Sequence, residues 1–283
     1  MPSKARLPEP AIASEVTGRE LDRSVTTQLR TLSKENAAGV AQHLVMAARL
    51  LDEDPTAALA HAETAVRRAG RVPAAREALG VVAYRQGDFA RALAEFRTSR
   101  RLSGSAHLLP LIVDCERALG RPTHALELAT SPEAATLPID ERVELAIVVS
   151  GIRRDLGQPE AARVALRIPQ LTTKASRPWV ARLRYAYAEA LLALGERDEA
   201  REWFAGAAAA DPDLTTDAPE RVEQLDGVAY LDLLDDDPTE PSSAPRPDPG
   251  QSGQEPDDGQ PYEGQEPDEG QLYEGQEPDE GRR

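Results

Sequence analysis

Apolar residues along the first 234 positions recur at three- and four-residue spacing, with few β-branched runs and no Asn-Gly hairpin turn, which predicts helices and no strands. The first helical stretch is expected over 17–38. Thr17-Gly-Arg-Glu20 has capping-box spacing, and Leu21, Val25, Leu29 and Leu32 follow on one face. Residues 1–16, with three prolines, form a flexible leader ahead of it.

From residue 39 the pattern becomes periodic. Leu79-Gly80, Gly87-Asp88-Phe89, Ala92 and Phe96 describe a helix, a tight turn and a second helix. Similar turns return at Leu119-Gly120, Leu156-Gly157 and Leu194-Gly195, and an earlier copy without glycine lies at Asp52-Glu53-Asp54-Pro55. From Glu53 through Gly87, Gly120, Gly157 and Gly195 the spacings are 34, 33, 37 and 38 residues. Five residues beyond each turn position stands an alanine: Ala58, Ala92, Ala125, Ala162 and Ala200.

That pattern has a physical reading. Glycine tolerates the positive φ of a tight turn. A small alanine lets the second helix approach the first closely. Four residues further, Phe96 or Phe204 fills the space against the neighbouring unit. A helix pair of this kind cannot bury its apolar face alone, so stacked pairs make the core. Pro55, Pro122 and Pro159 suit the first turn of a helix, where a missing N–H costs nothing. The longer spacings fit linker residues around Pro132–Pro138 and Ile168–Pro178.

These residues resemble the tetratricopeptide repeat family, and the clearest copies are Leu79, Gly80, Gly87, Asp88, Phe89, Ala92, Phe96 and Gly195, Ala200, Phe204, Ala207, Pro212. The resemblance covers residues 39–214 and implies an all-α, right-handed solenoid of about five helix pairs. A leading helix would precede it. A capping segment over 215–234 would close it, with a short helix in Asp217–Leu225 and an undecided conformation over 228–234. The whole resembles a bacterial tetratricopeptide-repeat protein with an acidic tail.

Composition changes the picture only at the C-terminus. Residues 235–283 hold 16 acidic residues against three basic ones, a net of −13, which leaves −3 of the total −16 for the other 234 residues. Nine of the 23 prolines and seven of the 19 glycines also lie there. Gly253-Gln-Glu-Pro-Asp-Asp-Gly-Gln-Pro-Tyr-Glu263 recurs from Gly264, and a partial copy starts at Gly275. Such a segment is expected to be disordered, because it offers too little apolar surface to offset its ordering entropy. Its D/E-G pairs lack the alternating ligand spacing of calcium loops. Three lysines against 30 arginines match the codon bias of a GC-rich genome.

Chemistry is sparse. His43, His61, His107 and His124 form no H-E-x-x-H and share no i, i+4 spacing, so no metal site is expected and the histidines are read as exposed or capping residues. Cys115, between Asp114 and Glu116, is read as an inert helical thiol. No phosphate-binding, dinucleotide or nucleophile-elbow motif occurs, so no cofactor and no enzyme are expected. With no leading apolar run and no long apolar stretch, a soluble cytoplasmic protein is expected.

What remains is binding. The resemblance implies that the first helix of each pair lines a groove for a protein or peptide partner. By register, Tyr84, Arg85, Arg117 and Arg154 near the turns, and Glu77, Asp114, Tyr185 and Glu189 farther back, become the groove candidates. Arginines there suit carboxylates, because the guanidinium fork binds them in bidentate fashion. The family's carboxylate clamp for chaperone tails is absent: His43, Ala47, Glu77, Val81 and Pro110 occupy places where it requires Lys and Asn. The acidic tail, with a span of roughly 40 Å, is long enough to contact Arg85, Arg117 and Arg154 as an intramolecular pseudo-ligand. The alternative function is RNA association through Arg67, Arg68, Arg71, Arg97, Arg100, Arg101, Arg153 and Arg154, which a near-neutral body and few stacking aromatics disfavour.

Overall fold

The computed structural model describes residues 8–227. Residues 1–7 of the leader, the stretch 228–234 and the acidic tail 235–283 lie outside the described residues. Among those described there are twelve α-helices and no strand.

Ten helices form five consecutive pairs: α2 (Lys34–Arg49) with α3 (Pro55–Ala69), α4 (Pro73–Arg85) with α5 (Phe89–Ser103), α6 (Leu109–Ala118) with α7 (Pro122–Ala129), α8 (Ile139–Asp155) with α9 (Pro159–Leu166), and α10 (Trp179–Ala193) with α11 (Arg197–Ala208). α1 (Arg23–Gln28) precedes them, and α12 (Ala218–Leu225) packs on α11 through Val222 and Leu225, covering the last pair. Each second helix also packs on the helix that follows it, α3 on α4, α5 on α6, α7 on α8, α9 on α10 and α11 on α12, as a repeat stack requires.

The turn glycines do what the sequence pattern requires. Gly87, Gly120, Gly157 and Gly195 take φ of +76°, +73°, +67° and +81°. The residue after each donates its N–H to the carbonyl five residues back, as in Asp88 to the Ala83 carbonyl (2.9 Å) and Gln158 to the Arg153 carbonyl (2.8 Å). That is a Schellman ending, which satisfies carbonyls the helix would leave orphaned. Space is not the constraint, since a Cβ on any of the four would meet nothing within 4 Å. The first pair manages without glycine: Asp54 caps α3, its Oδ1 accepting from the Ala57 N–H at 2.9 Å.

The five alanines sit at the close crossings, and Ala58, Ala92, Ala125, Ala162 and Ala200 are all completely buried. Phe96 and Phe204 are completely buried too, each filling the space its pair leaves. Pro55, Pro122 and Pro159 each begin a second helix. The longer spacings hold short 3-10 turns at Ala134–Thr136 and Pro169–Thr172.

Two expectations at the N-terminal end need correction. The single helix over 17–38 is broken into α1, a 3-10 turn at Leu29–Thr31, and α2. Thr17 and Glu20 do join, the Thr17 N–H reaching Glu20 Oε1 at 3.1 Å, but they close a turn in which Gly18 has φ +79°. Ser33 then starts a new helix by accepting from the Asn36 N–H at 3.4 Å, after Leu32 has turned extended. The leader is not loose where it is described. Val16 is buried against Val45 and Met46, its carbonyl accepts from Gln42 Nε2 at 2.9 Å, and Glu9 takes both Nε and Nη2 of Arg68 at 2.9 and 2.6 Å.

Candidate binding groove

Four successive first helices, α4, α6, α8 and α10, contribute to one cleft of about 420 Å³. α4 supplies Val81, Tyr84 and Arg85, and α6 supplies Pro110, Leu111 and Asp114. Glu141, Glu144 and Val148 come from α8 and Arg182 from α10, while His107 enters just ahead of α6. The spacing of Leu111 to Asp114, and of Glu141 to Glu144 and Val148, keeps each set on one helical face. The floor is therefore aliphatic with an aromatic edge, and the charged wall sets Asp114, Glu141 and Glu144 against Arg85, Arg182 and His107.

Tyr84 is fixed from two sides. Its ring stands edge-on to Phe89 at 5.6 Å, and its hydroxyl donates to Asp114. Burial, and then that carboxylate, push the phenol above its ordinary range. Glu144 accepts from Arg182, yet burial raises its carboxyl above the usual range in spite of that guanidinium. His107 bonds Glu77 through Nε2 at 3.1 Å, and this bond raises the imidazole's affinity for a proton. Glu141 Oε2 is buried with no hydrogen-bond partner among the described residues.

The expected groove residues divide accordingly. Tyr84, Arg85 and Asp114 line the cleft, and Glu77 reaches it through His107. Arg117, Arg154, Tyr185 and Glu189 lie outside its lining. Tyr185 packs edge-on to Phe204 at 5.1 Å.

The arginines expected to meet a partner's carboxylates are paired with carboxylates of this chain. Arg85 pairs with Asp52, and Arg117 holds Asp155 at 2.6 Å and Asp114 at 3.3 Å. Arg154 and Arg221 both grip Glu189 at 2.6 Å. Partners in these pairs lie 32 to 38 residues apart, so the arginines tie α4 to the turn after α2, α6 to α8, α8 to α10 and α12 to α10. An acidic tail at Arg85, Arg117 and Arg154 would have to displace these carboxylates. Most arginines of the RNA alternative are similarly engaged, Arg68 with Glu9, Arg97 with Glu116, Arg100 with Glu133, Arg67 with Thr64 and Arg153 with Gln158, while Arg71 and Arg101 are exposed with no side-chain partner among the described residues.

Sequence reasoning missed His107, Leu111, Glu141, Glu144, Val148 and Arg182. It counted back from the turns, whereas α8 runs 17 residues and presents its N-terminal half to the cleft. It also misjudged two histidines. His43 and His61 are buried, because α2 and α3 bring together rings that no short sequence spacing joins. Cys115 is fully buried, and burial, with Asp114 and Glu116 beside it, pushes the thiol up to about 12. Among the described residues no cluster of three or more His, Cys, Asp or Glu could hold a metal, and no helix is long and apolar enough to cross a membrane.

A larger and more apolar cleft of about 650 Å³ lies among α7, α8 and α9, with Leu126, Leu145 and Ile168 in its wall. It opens where the second helices shorten to eight residues each, so it is a gap between pairs and not a surface continued from repeat to repeat.

Five helix pairs, four of them joined by αL glycines, with a buried alanine in the second helix of each and a cleft across successive first helices, define a stacked helical-repeat protein. The tetratricopeptide repeat family model matches residues 48–107, which span α3, α4 and α5. The chain thus contains tetratricopeptide repeats, a module that generally mediates protein–protein interaction. No curated protein matches the chain.

Proposed function

We propose that this protein is a non-enzymatic interaction scaffold that holds a segment of a partner protein in the cleft of α4, α6, α8 and α10. The observation that carries this reading is the continuity of the cleft across four repeats, with an aliphatic floor formed by Val81, Leu111 and Val148. A surface assembled from four units suits an elongated ligand better than a small molecule. The side chains that could do chemistry support the same reading: the Cys115 thiol is buried and held protonated, and the acids and arginines beside the cleft are largely committed to one another.

The test is affinity capture from the source lysate with the wild-type chain and with Leu111→Glu and Val148→Glu, which place a charge on the cleft floor. A partner retained by the wild type, lost with both variants and cross-linked to α6 or α8 supports the scaffold. A partner retained equally by both variants moves binding elsewhere on the molecule.

A further inference from the structure

We propose that the segment seated in this cleft is basic, with an arginine or lysine side chain placed against Glu141 and an aliphatic neighbour on Leu111 and Val148. This rests on the cleft being the binding surface. The argument starts from what the wall charges already do. Arg85 is taken by Asp52, Asp114 by Tyr84 and Arg117, Glu144 by Arg182, and Glu77 by His107. One polar atom in the lining is left over, Glu141 Oε2, buried and reached by no donor among the described residues.

A buried acceptor without a donor carries a desolvation cost that an incoming donor removes, and a charged donor removes most of it. An acidic segment would place a second anion beside Glu141, the one carboxylate of the lining with no donor. A segment without a donor would leave Oε2 unsatisfied, because His107, whose protonated form Glu141 favours, spends Nε2 on Glu77. The aliphatic stem of an arginine or lysine also suits this wall, because it can lie along Leu111 and Val148 while its head reaches the carboxylate.

The chemistry is the reverse of the carboxylate-seeking surface that the arginine-rich sequence suggests. Those arginines are consumed in joining repeats. The one acid of the lining that no donor reaches, Glu141, is left to define the ligand.

The test is selection of a random dodecapeptide phage library on the immobilised full chain at 0.5 M salt, repeated on Glu141→Gln and on Leu111→Glu. Thermal melting confirms that both variants fold. The expected result is a wild-type pool enriched in Arg and Lys beside Leu, Ile or Val, with binders at least about tenfold tighter to wild type than to Glu141→Gln, the scale of one charge-assisted hydrogen bond. A pool enriched in Asp and Glu, a pool without charge bias, or basic peptides that bind Glu141→Gln equally well would overturn the cationic assignment. In those cases, loss of binding to Leu111→Glu keeps the cleft as the binding surface. A wild-type pool no different from the Leu111→Glu pool would overturn the cleft reading and this proposal together.

Discussion

His43 and His61 face one another across α2 and α3 with their Nδ1 atoms 2.9 Å apart, and both rings are almost wholly buried. One nitrogen must donate and the other accept, so the contact holds only while at least one ring is neutral. Burial lowers both imidazoles below 6.5; His61 and Arg68 lower His43 further, and Glu9, 3.6 Å from His43 Nε2, only partly opposes them. For a group whose folded pKa lies below its unfolded value, stability is fully present above pH 6.5 and is lost as the pH falls toward the folded values. The melting temperature should therefore drop between pH 7.5 and 5.5, and His61→Gln should flatten that slope. Equal slopes in the two proteins would refute the assignment.

Gly80 shows where a helix-propensity rule gives the wrong sign. Glycine inside α4 ordinarily costs about 1 kcal/mol relative to alanine. A Cβ at this position, however, would lie 2.6 Å from Cδ1 and Cε1 of Phe96, which is fully buried and cannot step aside. Overpacking of this kind costs about 1–3 kcal/mol, so Gly80→Ala should destabilise. In a Phe96→Leu background the same change should become neutral or favourable. Urea denaturation of the four proteins completes the double-mutant cycle, and strict additivity would refute the contact.

The parts of the fold legible in the sequence are those set by rules acting within one helix pair. A positive φ selects glycine at Gly87, Gly120, Gly157 and Gly195, and a close crossing selects alanine five residues on, so both leave a mark at fixed spacing. The candidate site was legible only in part. Tyr84, Arg85 and Asp114 follow from register, but whether Arg85 points to a ligand or to Asp52 depends on how one pair is set against the next. Nothing local encodes a partner 33 residues away. The break at Leu32–Ser33 was hidden for a related reason: the apolar spacing continues through it, while the extended Leu32 and the Ser33 cap override that spacing.

Glu116 is a completely buried carboxylate ringed by the half-exposed side chains of Arg97, Arg121 and His124. Arg97 donates to Oε1, Arg121 Nη1 to Oε2 at 3.2 Å, and His124 Nε2 lies 3.7 Å from Oε1. Glu116→Gln keeps the volume and removes the charge, so it should cost about 1.5–3 kcal/mol, the range for hydrogen bonds to charged groups. Arg97→Gln should cost less, because Arg121 still pairs with the carboxylate and the lost cation was partly in water. Chemical denaturation ranks the two, and the opposite order would show that Arg97 and not Glu116 is the critical partner.

Glu189 joins three helices, since Arg154 of α8 and Arg221 of α12 each donate to it on α10 at 2.6 Å. Its side chain is only 13% exposed, so the pairing is sheltered from much of the screening that weakens surface salt bridges. In a repeat stack, stability is a sum of units and nearest-neighbour contacts. Glu189→Gln should therefore loosen the C-terminal end and leave the N-terminal pairs unchanged. Hydrogen exchange should show faster exchange for amides of α12 and the end of α10, with α2 to α5 protected as in the wild type. Acceleration spread evenly over all five pairs would mean that the stack unfolds as one cooperative unit and that Glu189 is not a local clasp.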